Sequence, residues 1–595
     1  MTCKKAIVLL FTIFINSAFY MHSSFAQEQE LDVISISAKL IDAKTGESIP
    51  YATIYNLRNA KGTMSNQSGD FYLPNSLPDD SIRISFIGYE TIFFKAKELQ
   101  EKPVIYLRTR AELLQELSIY GDDNFLYALL ARSKKTTTSR VINAKTYFSL
   151  ETYIDSVQVE WLEGYYNGIY RGYEVDDLNL KNGRIALASR KNKFFVSISS
   201  SKAQYAHRIF EYNRNFPGSP FEYSRKNAKK KFKLKLSNSY KNDAGNTIMV
   251  IDFTPRKQVS SSFTGRVWID STDASIQKIA LQCLDASIFP FHPIWATDTL
   301  KQVDLNLVKT FSRVGDKMTV NSIDFNYRLY YQDRDDSTYV INTHNMVVAY
   351  NYNEFFILPF FDFDVNEEND YRKVNAAPYN DFFWDNMDEF SGYDRKQTNE
   401  LFLNKANMDQ ETMFLGNSFL VRGFFEQPYV FWSPKRIMFR ETNMKLENND
   451  VQSLMATDLY SINAQIYLDV NYLNDSLHTL SRTVLDPFTS FYYFPTTAQS
   501  TAFLNMYFDL MEIQRRELEL DLRTNADSPK EAEQIYAKKM YKVNQLSESF
   551  FLDVERGNNE EGMLKWNQII VNELQIDNWV FFQLDEAFDP EQKNE

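Results

Sequence analysis

Cysteine and histidine are scarce in this 595-residue chain, which has two Cys and five His. Cys3 lies in the apolar leader, so only Cys283 remains beyond it. One thiol cannot close an internal disulfide, and a disulfide-stapled secreted scaffold is excluded. Cys283 ends an alternating run and reads as a small buried hydrophobe. Beyond the leader, His207, His292, His344 and His478 stand singly. No His-Glu-x-x-His spacing occurs, which excludes the common helix-borne zinc hydrolase. A Gly-x-Ser-x-Gly elbow, a phosphate-binding glycine loop and a dinucleotide fingerprint are also missing, so no cofactor is expected. There is no basic excess: 65 Lys and Arg face 78 Asp and Glu, for a net charge of −13. That balance argues against nucleic acid as a partner. The longest leader hydrophobic run, Ala6 to Ile15, is too short for a comfortable membrane span.

What is present begins with an export signal. Lys4 and Lys5 precede that apolar run, and Ser24-Phe25-Ala26 is a small-x-small cleavage site. The mature chain is expected to start at Gln27, about 570 residues long and two charges more negative, enough for three or four domains. Aromatics are abundant, with 36 Tyr and 47 Phe, as suits β-structure. The expected organisation is a signal peptide over 1–26, a β-sandwich over 27–109 and a helical connector over 110–140. An antiparallel β domain, with a half-barrel as one form of it, follows over 141–364. A linker over 365–410 then leads to an α+β domain with C-terminal helices over 411–595. The fold class is thus multidomain and mainly β with an α+β C-terminus.

Between Ile36 and Leu107, short alternating apolar runs are broken by Gly, Asn, Asp and Pro about every ten residues, the spacing of a small antiparallel sandwich. Gly46 and Gly69 fall where turns need positive φ, and Pro50 is expected to open a strand. Ala52, Ile54, Phe71, Leu73, Ile84 and Phe86 alternate as an inward face. The pattern of Asp42, Gly46, Pro50, Ala52, Gly62, Gly69, Phe71, Gly88 and Tyr89 resembles the carboxypeptidase-regulatory-like, transthyretin-like domain. That domain opens many Bacteroidota cell-envelope proteins, including their outer-membrane nutrient transporters. The resemblance covers roughly 75 residues and implies a structural or docking module, not a peptidase.

Farther on, Gly121-Asp122-Asp123-Asn124 signals a turn and helix cap, and Phe125 to Lys135 reads as a short amphipathic helix. Alternating runs mark strands at Tyr147–Tyr153, Val157–Glu163 (ending at Gly164), Thr247–Phe253, Phe263–Asp270 and Ile276–Cys283. More follow at Gln302–Lys309, Met318–Tyr331 and Tyr339–Asn351. The unit from Phe263 to Cys283 resembles a strand–turn–strand repeat of envelope proteins that follow the same N-terminal module. It also resembles the half-barrel sheets of periplasmic lipoprotein carriers. Strands are expected around Tyr429–Trp432, within Phe419 to Arg440. A hairpin joins Ile462–Leu473 to Leu477–Leu485 across Asn474-Asp475. Helices are expected over Ala498–Leu522, from the Ser528-Pro529 start to Arg556 with Gly557 as terminator, and over Glu560–Leu574.

Candidate chemistry is thin. Asp362, Asp364, Asn366, Glu367, Glu368 and Asp370 offer oxygen ligands for calcium, but the run lacks the sixth-position Gly and has Lys373 at position 12. A solvated acidic linker is the simpler reading. Asp469 and Asp486, on one hairpin, are the nearest approach to a paired-carboxylate glycosidase. Trp161, Tyr165, Tyr166, Tyr170 and Tyr173 flank Gly164, Gly168 and Gly172. Such rings stack sugars or clamp a peptide when exposed, and fill a core when not. Asp509, Glu512, Arg515 and Arg516 interleave an apolar helix at i,i+3 and i,i+4 spacing, as structural ion pairs do. Trp566 reads as a helix-packing anchor.

The expected function is non-enzymatic: an exported periplasmic or outer-membrane-associated protein that binds or scaffolds an envelope protein, a lipid or a glycan. A hydrolase using carboxylates on carbohydrate or peptide is the alternative. A transmembrane β-barrel is disfavoured by the helical C-terminus.

Overall fold

The structure is a computed structural model. It describes residues 33–59, 62–66, 68–110, 124–138, 140–187, 207–257, 259–293, 297–361, 374, 377–387, 429–442, 444–446, 459–473 and 475–588. The leader, most of the Gly121–Asn124 cap, the acidic run at 362–370 with Lys373, nearly all of the 365–410 linker and all of 419–428 lie outside these residues. The chain divides into two compact units at Thr109/Arg110.

The first unit contains β1 (Ile34–Asp42), β2 (Thr53–Asn56), β3 (Gly62–Met64), β4 (Asp70–Ser76), β5 (Ser81–Ser85), β6 (Ile92–Lys95), α1 (Ala96–Gln100) and β7 (Val104–Leu107). Two sheets form, in the orders β4-β1-β7 and β3-β2-β5-β6. The alternation read from the sequence is their shared core: Ala52, Ile54, Phe71, Leu73 and Ile84 are buried, and Phe86 packs at the edge. Gly46 and Gly69 have φ of 74° and 82°. Pro50, by contrast, sits in a turn ahead of β2 instead of opening it, because Tyr51 takes φ 61° and breaks the extended backbone. Asp42 closes the first turn by accepting from Lys44 N (2.7 Å) and Thr45 N (2.9 Å), and it accepts from Tyr89 Oη (2.6 Å).

The second unit begins with α2 (Asn124–Ser133), followed by β8 (Val141–Ile154), β9 (Val157–Arg171) and β10 (Glu174–Leu187). Next come α3 (Arg225–Lys231), β11 (Phe232–Lys241), β12 (Thr247–Pro255), β13 (Thr264–Asp270), β14 (Ile276–Cys283), β15 (Thr299–Val314), β16 (Lys317–Gln332) and β17 (Thr338–Tyr352). These ten strands form one open sheet in the order β10-β9-β8-β17-β16-β15-β14-β13-β12-β11. β11 to β17 is a continuous meander, and the β8–β10 meander joins it through β8 against β17. Edges β10 and β11 do not pair with each other, so the sheet is not a closed barrel.

β9 runs seven residues past the expected stop at Gly164. Tyr166 and Tyr170 lie over the glycines two positions before them. A Cβ at Gly164 would stand 2.6 Å from the Tyr166 ring, and one at Gly168 2.5 Å from the Tyr170 ring. The glycines make room for rings within a strand; they do not end it.

The sheet curls. Tyr173, just before β10, bonds through its hydroxyl to Ile276 N of β14 (3.1 Å) and to Thr136 Oγ1 (2.7 Å). Glu174 of β10 meets Lys309 of β15 at 3.4 Å, although β9, β8, β17 and β16 lie between them in the sheet. The concave face is filled by its own side chains. α2 contributes Leu126, Leu129 and Leu130, and the 207–221 segment adds Ile209, Phe216 and Phe221.

The rest of the unit holds α4 (Asp381–Asn386), β18 (Val430–Phe431), β19 (Lys445–Leu446), β20 (Tyr460–Ser461), β21 (Ala464–Leu473), β22 (Ser476–Leu485) and β23 (Phe491–Tyr492). The helices α5 (Ala498–Asn525), α6 (Pro529–Val554), α7 (Glu560–Leu574), α8 (Asn578–Phe581) and α9 (Leu584–Ala587) follow. The hairpin turn sets Asp475 at φ 58°. Beyond α6, Gly557 has φ 94°, and a Cβ there would stand 2.6 Å from Gln499 O. That turn brings α7 back, so that Trp566 packs edge-on to Phe550 at 5.6 Å.

Candidate functional site

The aromatic residues singled out around Gly164, Gly168 and Gly172 do not form an exposed platform. Trp161, Tyr165, Tyr166, Tyr170 and Tyr173 are all buried. Because strand residues alternate between faces, the consecutive pair Tyr165 and Tyr166 splits across the sheet. Tyr166 and Tyr170 point to the concave face, where Tyr170 Oη shares a hydrogen bond with Thr146 Oγ1 at 2.5 Å. Tyr165 points the other way, into Phe383 (5.4 Å), Trp384 (5.7 Å) and Phe356 (6.0 Å). Tyr173 is a tie between distant strands.

Behind Tyr165 lies a layer of buried charge that joins the sheet to the rest of the unit. Lys181 of β10 forms an ion pair with Asp469 of β21, their side chains only 1% and 0% exposed. The Lys181 ammonium also donates to Ile357 O (2.6 Å) and Val470 O (2.9 Å). Asp469 accepts from Asn380 Nδ2 (2.7 Å), while Asn380 Oδ1 caps α4 by accepting from Phe383 N (3.1 Å). Burial pulls the Lys181 ammonium below its ordinary pKa, and the Asp469 carboxylate opposes that pull. Three residues along β10, Arg184 donates to Glu163 at 2.6 Å and lies over the Trp384 ring at 4.1 Å. Tyr147 Oη donates to the other Glu163 oxygen at 2.7 Å. Burial and the Glu163 carboxylate push the Tyr147 hydroxyl well above its usual range.

Across the concave face, Lys309 donates to His207 O (2.5 Å) as well as pairing with Glu174. Glu174 accepts in turn from Ile209 N at 2.7 Å. Burial, followed by the nearby Lys309 charge, holds His207 well below its ordinary pKa, so its ring is neutral. On the opposite face, His344 lies 3.6 Å from Asp324 and across from Glu151. Burial opposes its charge, but the Asp324 hydrogen bond and the two carboxylates raise its pKa overall. Lys278, under burial and with only partial relief from Asp324, is lowered to about 8.

The carboxylate pair proposed from the hairpin is not a pair. Asp469 stands opposite Leu480, whereas Asp486 follows the β22 end that meets Ala464. Five or more residues of strand separate them, roughly 17 Å. Asp469 is already neutralised by Lys181, and Asp486 caps its own turn by accepting from Phe488 N at 2.8 Å.

On α5, Glu512 accepts from Arg515 (2.8 Å) and Arg516 (3.0 Å), as the spacing suggested, and also from Thr483 Oγ1 (2.8 Å). Asp509 departs from that expectation. Its partners lie on other elements: Arg436 (2.6 Å), Trp432 Nε1 (2.8 Å) and Asn578 Nδ2 (2.7 Å). Asp509 is fully buried one turn before Glu512.

The sequence reading missed Lys181, Arg184, Glu174 and Lys309. One signal was there: Lys309 occupies the apolar phase of β15, in line with Val303, Leu305, Leu307 and Phe311. A charge at that phase must find a buried partner.

Among the described residues no group of three or more His, Cys, Asp or Glu side chains could hold a metal ion. Nor is any helix among them long and apolar enough to cross a membrane.

Residues 36–119 match the family model described as "CarboxypepD_reg-like domain". The N-terminal unit is a carboxypeptidase-regulatory-like domain. No curated protein matches the chain. Solved structures align over a minor part of it. A domain of an outer membrane lipoprotein-sorting protein from Vibrio parahaemolyticus aligns at 9% identity and TM-score 0.18, covering 38% of this chain and 91% of that one. A chain of the Pseudomonas aeruginosa MucA/MucB complex aligns at 11% identity and TM-score 0.13, covering 38% of this chain and 92% of that one. A LolA superfamily protein from Nitrosomonas europaea aligns at 10% identity and TM-score 0.15, covering 37% and 92%.

Proposed function

We propose that this chain is a non-enzymatic, exported envelope protein that binds or scaffolds another envelope component, whether protein, lipid or glycan. The carboxypeptidase-regulatory-like domain serves as a docking module, and the curled ten-stranded sheet as the rigid body to which the C-terminal helices are fastened. The observation that carries this reading is how the buried ionisable groups are used. Lys181 with Asp469, Lys309 with Glu174 and Arg436 with Asp509 each spend their charge joining separate segments, while Arg184 with Glu163 ties the neighbouring strands β10 and β9. Catalysis by paired carboxylates needs two such groups facing one substrate, and Asp469 and Asp486 are apart in register.

Export is tested by fractionation and N-terminal sequencing. The protein from the envelope fraction begins at Gln27. Recovery of an intact Met1 terminus from the cytosol overturns the envelope reading. Glycan-array and pull-down measurements on the mature chain then identify the partner class, and turnover of a carbohydrate or peptide substrate overturns the non-enzymatic assignment.

A further inference from the structure

The chain is acidic, yet one end of its large sheet is strongly cationic. α3 reads Arg-Lys-Asn-Ala-Lys-Lys-Lys; only Ala228 is buried, and every Arg and Lys in it is exposed. Lys233 of β11 is exposed beside it, as are Arg256 and Lys257 beyond β12. Two hydrogen bonds hold the two segments together: Arg256 N to Lys231 O (2.8 Å) and Arg256 Nε to Lys229 O (2.9 Å). Among the described residues none of these cations has a carboxylate within salt-bridge distance.

Structural contacts account for part of the cluster: Arg225 donates to Asn124 O (3.0 Å), Lys229 to Asn124 Oδ1 (2.5 Å), and Lys231 lies over the Tyr223 ring at 4.0 Å, whereas Lys226, Lys230, Lys233 and Lys257 make no such contact among the described residues. Lysines in the last turn of α3 favour the helix dipole, but Arg225 and Lys226 occupy its first turn, where positive charge is unfavourable and no acid is present. Protection of a sheet edge accounts for Lys233 on edge strand β11 but not for α3 or Lys257. The same end of the sheet exposes Val259 and Leu284, 44% and 64% accessible. Their segments meet through Ser287 N to Ser260 O at 2.9 Å. Of the acids at that end, Asp285 and Asp304 lie on the β14–β15 side, where Asp304 accepts from Asp285 N, Asp335 and Asp336 lie on the β16–β17 turn, and Glu222 is the acid near Lys231.

We infer that this end of the sheet is a docking surface for an anionic phospholipid bilayer, with α3, Lys233, Arg256 and Lys257 against the phosphate headgroups and Leu284 and Val259 at the interface. Exposed cations next to exposed aliphatic side chains suit a leaflet better than an acidic polypeptide, because the leaflet offers both charge and hydrocarbon. The inference rests on the envelope reading above for its biological setting, but the surface is tested independently.

The test is co-sedimentation of the mature full-length chain with vesicles of phosphatidylcholine plus phosphatidylglycerol, against phosphatidylcholine alone. Binding is expected only to the mixed vesicles and is expected to weaken steeply with salt. Changing Lys226→Gln, Lys230→Gln and Lys233→Gln together is expected to weaken it about a hundredfold, at about fivefold per charge. Among the described residues these three side chains make no hydrogen bond or ion pair that the change would remove, and an unchanged melting temperature verifies that the fold is intact. Leu284→Ser is expected to weaken binding severalfold without changing its salt dependence. Equal binding to both vesicle types, or a triple variant that binds like the parent, overturns the assignment. So does capture by polyglutamate with no vesicle binding, which makes the surface one for acidic polypeptide. Failure here together with a Gln27 terminus in the envelope leaves the envelope reading standing; a cytosolic Met1 terminus removes that reading and leaves the vesicle result as it is.

Discussion

The N-terminal unit and the ten-stranded unit are both mainly antiparallel β-structure, yet they place their buried charges differently. In the N-terminal unit the core is aliphatic and aromatic, and the two carboxylates buried among its described residues each close a turn and also hold side chains 22 to 47 positions away: Tyr89 for Asp42, Arg58 and Asn56 for Asp80. Asp42 binds the turn N–H groups of Lys44 and Thr45. Asp80 accepts from Leu77 N (2.8 Å) and Asn56 Nδ2 (2.7 Å) and pairs with Arg58. In the second unit, buried charges bridge segments far apart in the chain: Lys181 and Asp469 are 288 residues apart. A small sandwich built from hairpins is positioned by turns, so its polar groups close those turns and reach no farther than the 47 positions from Asp42 to Tyr89. A curled sheet carrying a separate helical layer needs fixed points between remote segments, and buried ion pairs supply them at a cost in desolvation.

If that difference is real, the two units fail in different ways. The largest effect is expected in the N-terminal unit. Ile84 is fully buried, and Ile84→Asp places a charge in an apolar core with no partner, costing more than about 4 kcal/mol and abolishing the unit's fold. Phe86→Asp, at a half-buried position, costs less. Circular dichroism and urea unfolding of residues 31–109 measure both, and a folded Ile84→Asp segment breaks the comparison. In the second unit, Lys181→Met leaves the Asp469 carboxylate buried and unpaired, for an expected loss of about 3–5 kcal/mol. Lys181→Met combined with Asp469→Leu recovers most of it, because no charge is then left behind. A double variant as unstable as the single one shows that the pair's hydrogen bonds to Ile357, Val470 and Asn380 matter more than its charges.

The same difference explains what was legible beforehand. The sandwich was readable residue by residue because Asp42, Gly46, Gly69 and the alternation through Ile84 act over a few positions. The strands Ile276–Cys283 and the helix Glu560–Leu574 were readable for the same reason. A half-barrel was read only as one form of the β domain, and the contacts that span its curl were not legible, because Tyr173 reaches Ile276 and Lys309 reaches Glu174 across intervening strands. The tyrosine–glycine run was seen, but its orientation was not: period-two alternation distributes the rings between two covered faces. For Asp509, helical spacing named neighbours on its own helix, while its carboxylate is held by Arg436 from another segment.

Two histidines, His207 buried and His344 half-buried, sharpen the comparison within the second unit, with effects of about 1 kcal/mol. His207 is neutral in the fold because its pKa is depressed. The unfolded chain protonates it below about pH 6.5, so stability falls on acidification by up to about 1.4 kcal/mol per pH unit from this residue. His344 has the opposite sign. Its folded pKa is raised by Asp324 and Glu151, so its contribution is full below about pH 6.5 and is lost as pH rises through the folded value. Melting temperatures between about pH 5 and 8 are expected to lose their acid-side decline in His207→Gln and their neutral-to-alkaline decline in His344→Gln. Parallel profiles for parent and both variants show that neither ring differs between folded and unfolded states.

The smallest expected effect tests whether a local polar contact in the second unit behaves like those of the first. Ser528 caps α6: its Oγ accepts from Glu531 N at 3.4 Å and donates to Glu531 Oε2 at 2.9 Å, while that carboxylate accepts from Asp527 N at 3.0 Å. The box is exposed, so water can take over each bond when the hydroxyl is removed. A cap of this kind contributes about 0.5–2 kcal/mol, and the long bond to Glu531 N places Ser528→Ala near about 0.5 kcal/mol, at the low end of that range. Trp566→Ala, which empties the contact with Phe550 in the same helical layer, is the reference for a lost core side chain at about 3–5 kcal/mol. Urea unfolding of the two variants beside the parent measures the ratio. If Ser528→Ala costs as much as Trp566→Ala, the start of α6 is a fixed point of the helical layer, and local caps in this unit carry loads that the comparison assigns to its long-range ion pairs.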